Sequence, residues 1–190
     1  MEDPKYRNLI LSDYPKYRNL ILSDYIDKDS VEKIIEKILE INEDDDKNET
    51  EYKDFERTPI MLFINSFGGS VYDGISLVDI IKRSKTPVHT ICIGSCMSMG
   101  FWIWLSGAKR FIGKNATLMF HDITSFVWDK SETLKQELEE VLRLQELLIK
   151  EITSKTLIDE SKLRDYIIRK AEWYITPEEA LKLALAHDYY

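Results

Sequence analysis

Two uninterrupted apolar runs restrict the fold of this chain more than any other feature: PIMLFIN at 59–65 and TPVHTICIG at 86–94. A strand with one wet face alternates polar and apolar residues, whereas a strand covered on both faces is apolar throughout. A segment of helical period separates the two runs. SFGGSVYDG turns the chain into a helix reaching about Ser84, with Val71, Ile75, Val78 and Ile81 facing inward. Ser70 and Asp73 have capping-box spacing at its start. Strands alternating with helices define an α/β class with parallel strands joined by crossover helices.

The same reading extends along the chain. TLMFHD (117–122) is strand-like and follows a loop at Gly113-Lys114-Asn115. A long helix is predicted from about Ser131 to Lys155, its stripe formed by Leu134, Leu138, Val141, Leu142, Gln145, Leu148, Ile149 and Ile152. A shorter helix covers about Glu160 to Arg169. The last begins at TPEEA, where Thr176 caps, Pro177 takes the first turn and Glu179 closes a capping box. Residues 42–58, acidic and hydrophilic, read as a solvated surface loop.

The N-terminal region carries a perfect repeat. PKYRNLILSDY occupies 4–14 and returns unchanged at 15–25. Solenoid repeats are longer and imperfect, so this is a local duplication. The second copy runs into a strand and an amphipathic helix with Val31, Ile34, Ile35, Ile38 and Leu39 on one face. Residues 1–14 therefore read as an appendage and 15–190 as one domain, a length that buries a real core.

Bulk properties exclude several functions. The net charge of −8 offers no basic patch for nucleic acid. No apolar stretch reaches the roughly 18 residues of a membrane span, and MEDPKYRN does not have the pattern of a signal peptide. Cys92 and Cys96, the only two cysteines, form neither a disulfide framework nor a zinc site. The expectation is a cytoplasmic protein without cofactor or metal.

Three short stretches carry chemistry. INSFGGSV places two glycines between a buried strand and a capped helix, where outward amides suit phosphate, carboxylate or an oxyanion. ICIGSCMSMGFW (91–102) is a second strand-to-helix corner offering three nucleophiles, Ser95, Cys96 and Ser98. A serine at a helix start is more often a cap than a nucleophile. His121 ends the strand LMFHD beside a loop; His89 lies inside a buried strand, and His187 in a C-terminal tail read as mobile.

Taken together, INSFGGSV, GSCMSMG and LMFHD resemble, in order and spacing, the ClpP family of self-compartmentalising serine peptidases, from about Arg18 to the C-terminal YITPEEALKLAL. The resemblance implies a ClpP/crotonase-like fold with a long handle-type helix. It makes Ser98 the nucleophile, His121 the general base and the amides of Gly69 and Met99 the oxyanion hole, leaving Ser95 and Cys96 as packing residues. The position of the family's aspartate holds Glu172, with Asp165 as the fallback; Asp122 is too close to His121 in sequence. It further implies a homo-oligomer of stacked heptameric rings, an AAA+ unfoldase partner and unfolded polypeptide substrates.

The chain also departs from the family pattern. DITSFVWDKSE replaces Gln-Pro and a glycine-rich loop after the histidine, Lys170-Ala171 replaces an Asp-Arg pair, and SFGG replaces SPGG. These changes keep open a catalytically silent structural or regulatory subunit. A crotonase-type acyl-CoA hydratase or hydrolase is disfavoured by retention of both Ser98 and His121.

Overall fold

The computed structural model describes residues 18–123 and 131–190. The first repeat copy and residues 124–130 of the segment after His121 lie outside the described residues.

The chain enters through β1 (Asn19–Leu22), from the second repeat copy, and α1 (Lys28–Glu51). It continues through β2 (Ile60–Ser66), α2 (Val71–Arg83), β3 (Val88–Met97) and α3 (Met99–Ser106). Then come β4 (Lys109–Ile112), β5 (Thr117–Phe120), α4 (Ser131–Lys155) and α5 (Glu160–Ile168). β6 (Trp173–Ile175), α6 (Pro177–Lys182) and β7 (Asp188–Tyr189) complete the order.

β1-β2-β3-β4-β7 form a parallel path, β5 also pairs in parallel with β3, and β6 is antiparallel to β5. β3 forks the sheet. Its first half pairs with β4 from His89 to Cys92, and its last residues, Ser95–Met97, pair with β5. Gly94 adopts φ 83° at the fork, where the register against β2 shifts between Ile64 and Ser66. Asn65 Oδ1 accepts from the Ser95 amide (3.1 Å) and from Ser95 Oγ (3.2 Å) there. A Cβ on Gly94 would lie 2.7 Å from that same oxygen. This kink carries the end of β3 away from β4 and against β5.

α3 lies in the centre of the core and is buried along its whole length, which its sequence MGFWIWLS explains. Phe101, Ile103 and Trp104 pack with Phe120, Ile64 and Leu77, all nearly inaccessible to water. At about 1.5–3 kcal/mol for each large apolar side chain buried, this layer fixes the relation of β3, α3 and β5.

Four expectations need correction. The acidic stretch is no loop in its first part, because α1 continues through it to Glu51. Its charges have partners: Asp45 is fully buried against Arg18 and Thr86, while Asp46 and Glu49 bind Arg57. Leu39 is exposed, and Ile41 takes the core-facing place. The C-terminal tail is anchored by β7 on β4, with His187 Nδ1 accepting from the Arg110 amide at 3.0 Å. At TPEEA, Thr176 accepts from the Glu179 amide at 3.2 Å, but the Glu179 carboxylate reaches Lys162 rather than returning to the cap. No helix among the described residues is long and apolar enough to cross a membrane.

Candidate active site

The site forms where two strand–helix corners meet the end of β5. After β2, Phe67-Gly68-Gly69-Ser70 leads into α2, and both glycines occupy positive φ, 108° and 152°. A Cβ on Gly68 would fall 2.7 Å from Ser98 Cβ; one on Gly69 would fall 2.2 Å from the Ile26 carbonyl oxygen. Glycine is required at both positions: Gly68 because the first corner packs directly on the second, Gly69 because the Ile26 backbone lies against it.

Ser98 occupies the second corner with φ 52° and ψ −122°, a conformation that costs a non-glycine residue on the order of 1–3 kcal/mol. It stands where a helix cap would, yet its side chain makes no capping hydrogen bond. The competing explanation of this serine, a cap for α3, therefore lacks its bond. A sharp, strained strand-to-helix turn that leaves a hydroxyl free is the geometry that presents a nucleophile. The Ser98 amide donates to the Met119 carbonyl at 3.0 Å, tying the corner to β5 two residues before His121.

A cleft of about 250 Å³ opens here, lined by Gly68, Gly69, Ser98, Met99, His121 and Asp122, with Val71, Trp102, Phe120 and Leu148 as apolar wall. Tyr25 and Phe67 stand at its rim, both exposed. Burial raises the Asp122 carboxyl above its usual range, against weaker opposing effects of the Ile123 amide and His121. Met99 is the first residue of α3, so its amide has no partner within the helix.

The remaining candidates separate cleanly. Ser95 is buried and held by Asn65, and Cys96 is inaccessible, burial pushing its thiol well above the ordinary range. His89 is buried in β3, and burial lowers it to about 4. His187 serves the β4–β7 contact. Of the three histidines, His121 is the one on the cleft.

The acid is placed differently. Glu172 lies one step beyond the last β5–β6 pair, Phe120↔Trp173, so the antiparallel register sets it across from His121. Its carboxylate is exposed and accepts from the Tyr174 hydroxyl at 2.6 Å. Trp173 is buried, stacked on Tyr166 with Lys162 3.7 Å from its ring, which holds this strand in place. Asp165 is paired with Arg169 on the exposed side of α5. Among the described residues no hydrogen bond joins Ser98 to His121 or His121 to Glu172. Reading by motif did not single out Asn65, Ser66 or Tyr25; no periodicity marks them, because Asn65 holds Ser95, Ser66 joins Asp24 to Gly68, and Tyr25 reaches the cleft rim, all through contacts with other segments.

An α/β fold whose strand–helix corners converge on one serine and one histidine has the layout of a hydrolase. The chain belongs to the Clp protease family, whose model matches residues 5–188, and is a ClpP-type peptidase. It is 28% identical over 165 residues to the ATP-dependent Clp protease proteolytic subunit 1 of Prochlorococcus marinus NATL2A, covering 84% of this chain and 76% of that one. With the ATP-dependent Clp protease proteolytic subunit of Deinococcus radiodurans it shares 34% identity over 129 residues, 66% of this chain and 62% of that protein. The fold matches that of a ClpP1 point mutant from Listeria monocytogenes with a TM-score of 0.76 at 22% identity, covering 92% and 91% of the two chains.

Proposed function

We propose that this peptidase is a serine endopeptidase in which Ser98 attacks the scissile carbonyl and His121 takes the serine proton. The Gly69 and Met99 amides stabilise the oxyanion, and His121 then protonates the leaving amine. Water reverses the sequence to release the acyl group. The observation that carries this reading is the uncapped, strained Ser98 sharing one cleft with His121 and the Gly68-Gly69 corner. Glu172 is the acid that orients His121, supported by its position across the β5–β6 register. In that role its carboxylate turns from Tyr174 to the imidazole.

Unfolded polypeptides are the substrates, cleaved inside a homo-oligomer of stacked heptameric rings that an AAA+ unfoldase feeds. Leu134, Leu138 and Leu142 support association, since they form an exposed apolar row on the first half of α4 while Leu148, Ile149 and Ile152 are buried in the second. A catalytically silent subunit is the second reading, favoured by the Glu172–Tyr174 bond. Hydrolysis of a fluorogenic peptide decides between them. The enzyme reading expects turnover that Ser98→Ala and His121→Ala each reduce by at least a thousandfold; a folded, assembled protein without turnover supports the silent subunit.

A further inference from the structure

Three consecutive peptide planes at the Gly-Gly corner are tethered, and the tethers leave one amide free. The Gly68 amide donates to Ser66 Oγ at 3.1 Å, and the same hydroxyl donates to the Asp24 carbonyl at 2.6 Å. The Gly68 carbonyl accepts from the Ile26 amide at 2.9 Å. The Ser70 amide donates to the Ile26 carbonyl at 2.7 Å. Ser66 is 2% exposed and Ile26 is fully buried, so these bonds are sheltered from water.

The central tether decides the chemistry. In a planar trans peptide the C=O and the N–H point in opposite directions. Because the Gly68 carbonyl is turned to Ile26, the Gly69 N–H of the same plane is turned away from it. A flip of that plane would break the Ile26 bond and withdraw the donor. Positive φ at two adjacent glycines makes such a flip sterically easy, so the corner needs an external restraint.

We propose that Ser66 is a positioning residue for peptide hydrolysis: it fixes the Phe67–Gly68 plane next to the Gly68–Gly69 peptide that the Ile26 amide holds, and the two tethers together keep the Gly69 N–H offered to the oxyanion. The proposal rests on the assignment of Gly69 to the oxyanion hole. It also distinguishes the two repeat copies. The second is followed by Ile26, which supplies the donor; the first is followed by Pro15, which has no amide hydrogen.

The test compares wild type, Ser66→Ala, Ser66→Thr and Ser98→Ala as full-length protein. Ser66→Ala is expected to lower kcat for a fluorogenic peptide about 10- to 100-fold, below the full loss of a donor, with KM within twofold. Affinity for a peptidyl boronate, whose tetrahedral adduct puts an oxygen in the hole, should weaken by the same factor, and affinity for the product peptide should not change. Ser66→Thr, which keeps the hydroxyl, should stay within threefold of wild type.

An unchanged kcat in Ser66→Ala, a loss confined to KM, or equal losses in Ala and Thr would overturn the proposal. If Ser98→Ala abolishes hydrolysis while Ser66→Ala is silent, only the lock fails; if Ser98→Ala is active, the site assignment fails with it. Amide exchange in ¹⁵N-glycine-labelled wild type needs no variant to fold. The Gly68 amide should exchange slowly and the Gly69 amide fast, and the reverse order contradicts the lock.

Discussion

Replacing Asp45 by alanine should unfold this protein far more readily than its place in an acidic, hydrophilic stretch suggests. Asp45 is fully buried and Arg18 is 3% exposed. The carboxylate accepts from Arg18 through both oxygens and from Thr86 Oγ at 2.6 Å, and Arg18 also donates to the Thr58 carbonyl at 2.7 Å. Burial alone would raise the carboxyl; the bonds from Arg18 and Thr86 outweigh it and hold Asp45 below its usual range.

Asp45→Ala removes one side of a buried, doubly hydrogen-bonded ion pair, which costs about 3–5 kcal/mol. Total stability of a domain is about 5–15 kcal/mol, so the loss is a large part of it. Because the folded carboxyl is depressed, its contribution is complete above the ordinary carboxylate range and fades as pH falls through the lower folded value. Urea unfolding followed by tryptophan fluorescence at fixed protein concentration measures the change. The double variant Arg18→Met/Asp45→Leu removes both charges and should recover most of the loss. A change below about 1 kcal/mol in Asp45→Ala would refute the reasoning, since breaking a buried pair on one side cannot be that mild.

Other outcomes follow from the same geometry. Gly69→Ala puts a Cβ 2.2 Å from the Ile26 carbonyl oxygen at φ 152°, so peptide turnover should fall at least a hundredfold and the melting temperature should drop as well. Glu172→Gln should reduce kcat at least tenfold and Asp165→Asn less than twofold, measured on the same peptide; the opposite order assigns the acid to α5. Burial lowers His89 from 6.5 to about 4, so the unfolded chain binds its proton first as pH falls. Stability should therefore decline between pH 6.5 and 4, by about 3 kcal/mol at most, and His89→Leu should flatten that part of the pH–stability curve.

Sequence reading succeeded where burial or capping is uniform over several residues. The runs at 59–65 and 86–94 showed β2 and most of β3 because both faces of those strands are covered, although Ser95–Met97, the end of β3, read as a corner; the 25 residues of α4 showed because its period persists from end to end. It failed where a polar residue is buried by a distant partner. Asp45 looks like a surface acid until Arg18 and Thr86 close around it, and the end of α1 was misread for that reason. KRFI was overlooked as β4 because it is four residues long and includes Arg110, which is buried with its Nε donating to the Leu185 carbonyl at 2.6 Å.

At the candidate site, the residues that motif order proposes, Ser98, His121 and the Gly-Gly corner, line one cleft. The strain at Ser98, the fork of β3 that brings it to β5, and the tethers from Asp24 and Ile26 depend on contacts between distant segments, so no local pattern carries them. Glu172 was legible only as a carboxylate at a family position. Its present bond to Tyr174 arises from the β6 alternation, which puts residues 172 and 174 on one exposed face.

The central claim is that Ser98 is the nucleophile, and covalent labelling addresses it most directly. A fluorophosphonate probe is incubated with the full-length assembled protein, and the modified residue is located by peptide mapping. A single adduct on Ser98 is expected, absent in Ser98→Ala and strongly reduced in His121→Ala. Labelling at another residue, or an adduct that persists in Ser98→Ala, would contradict it.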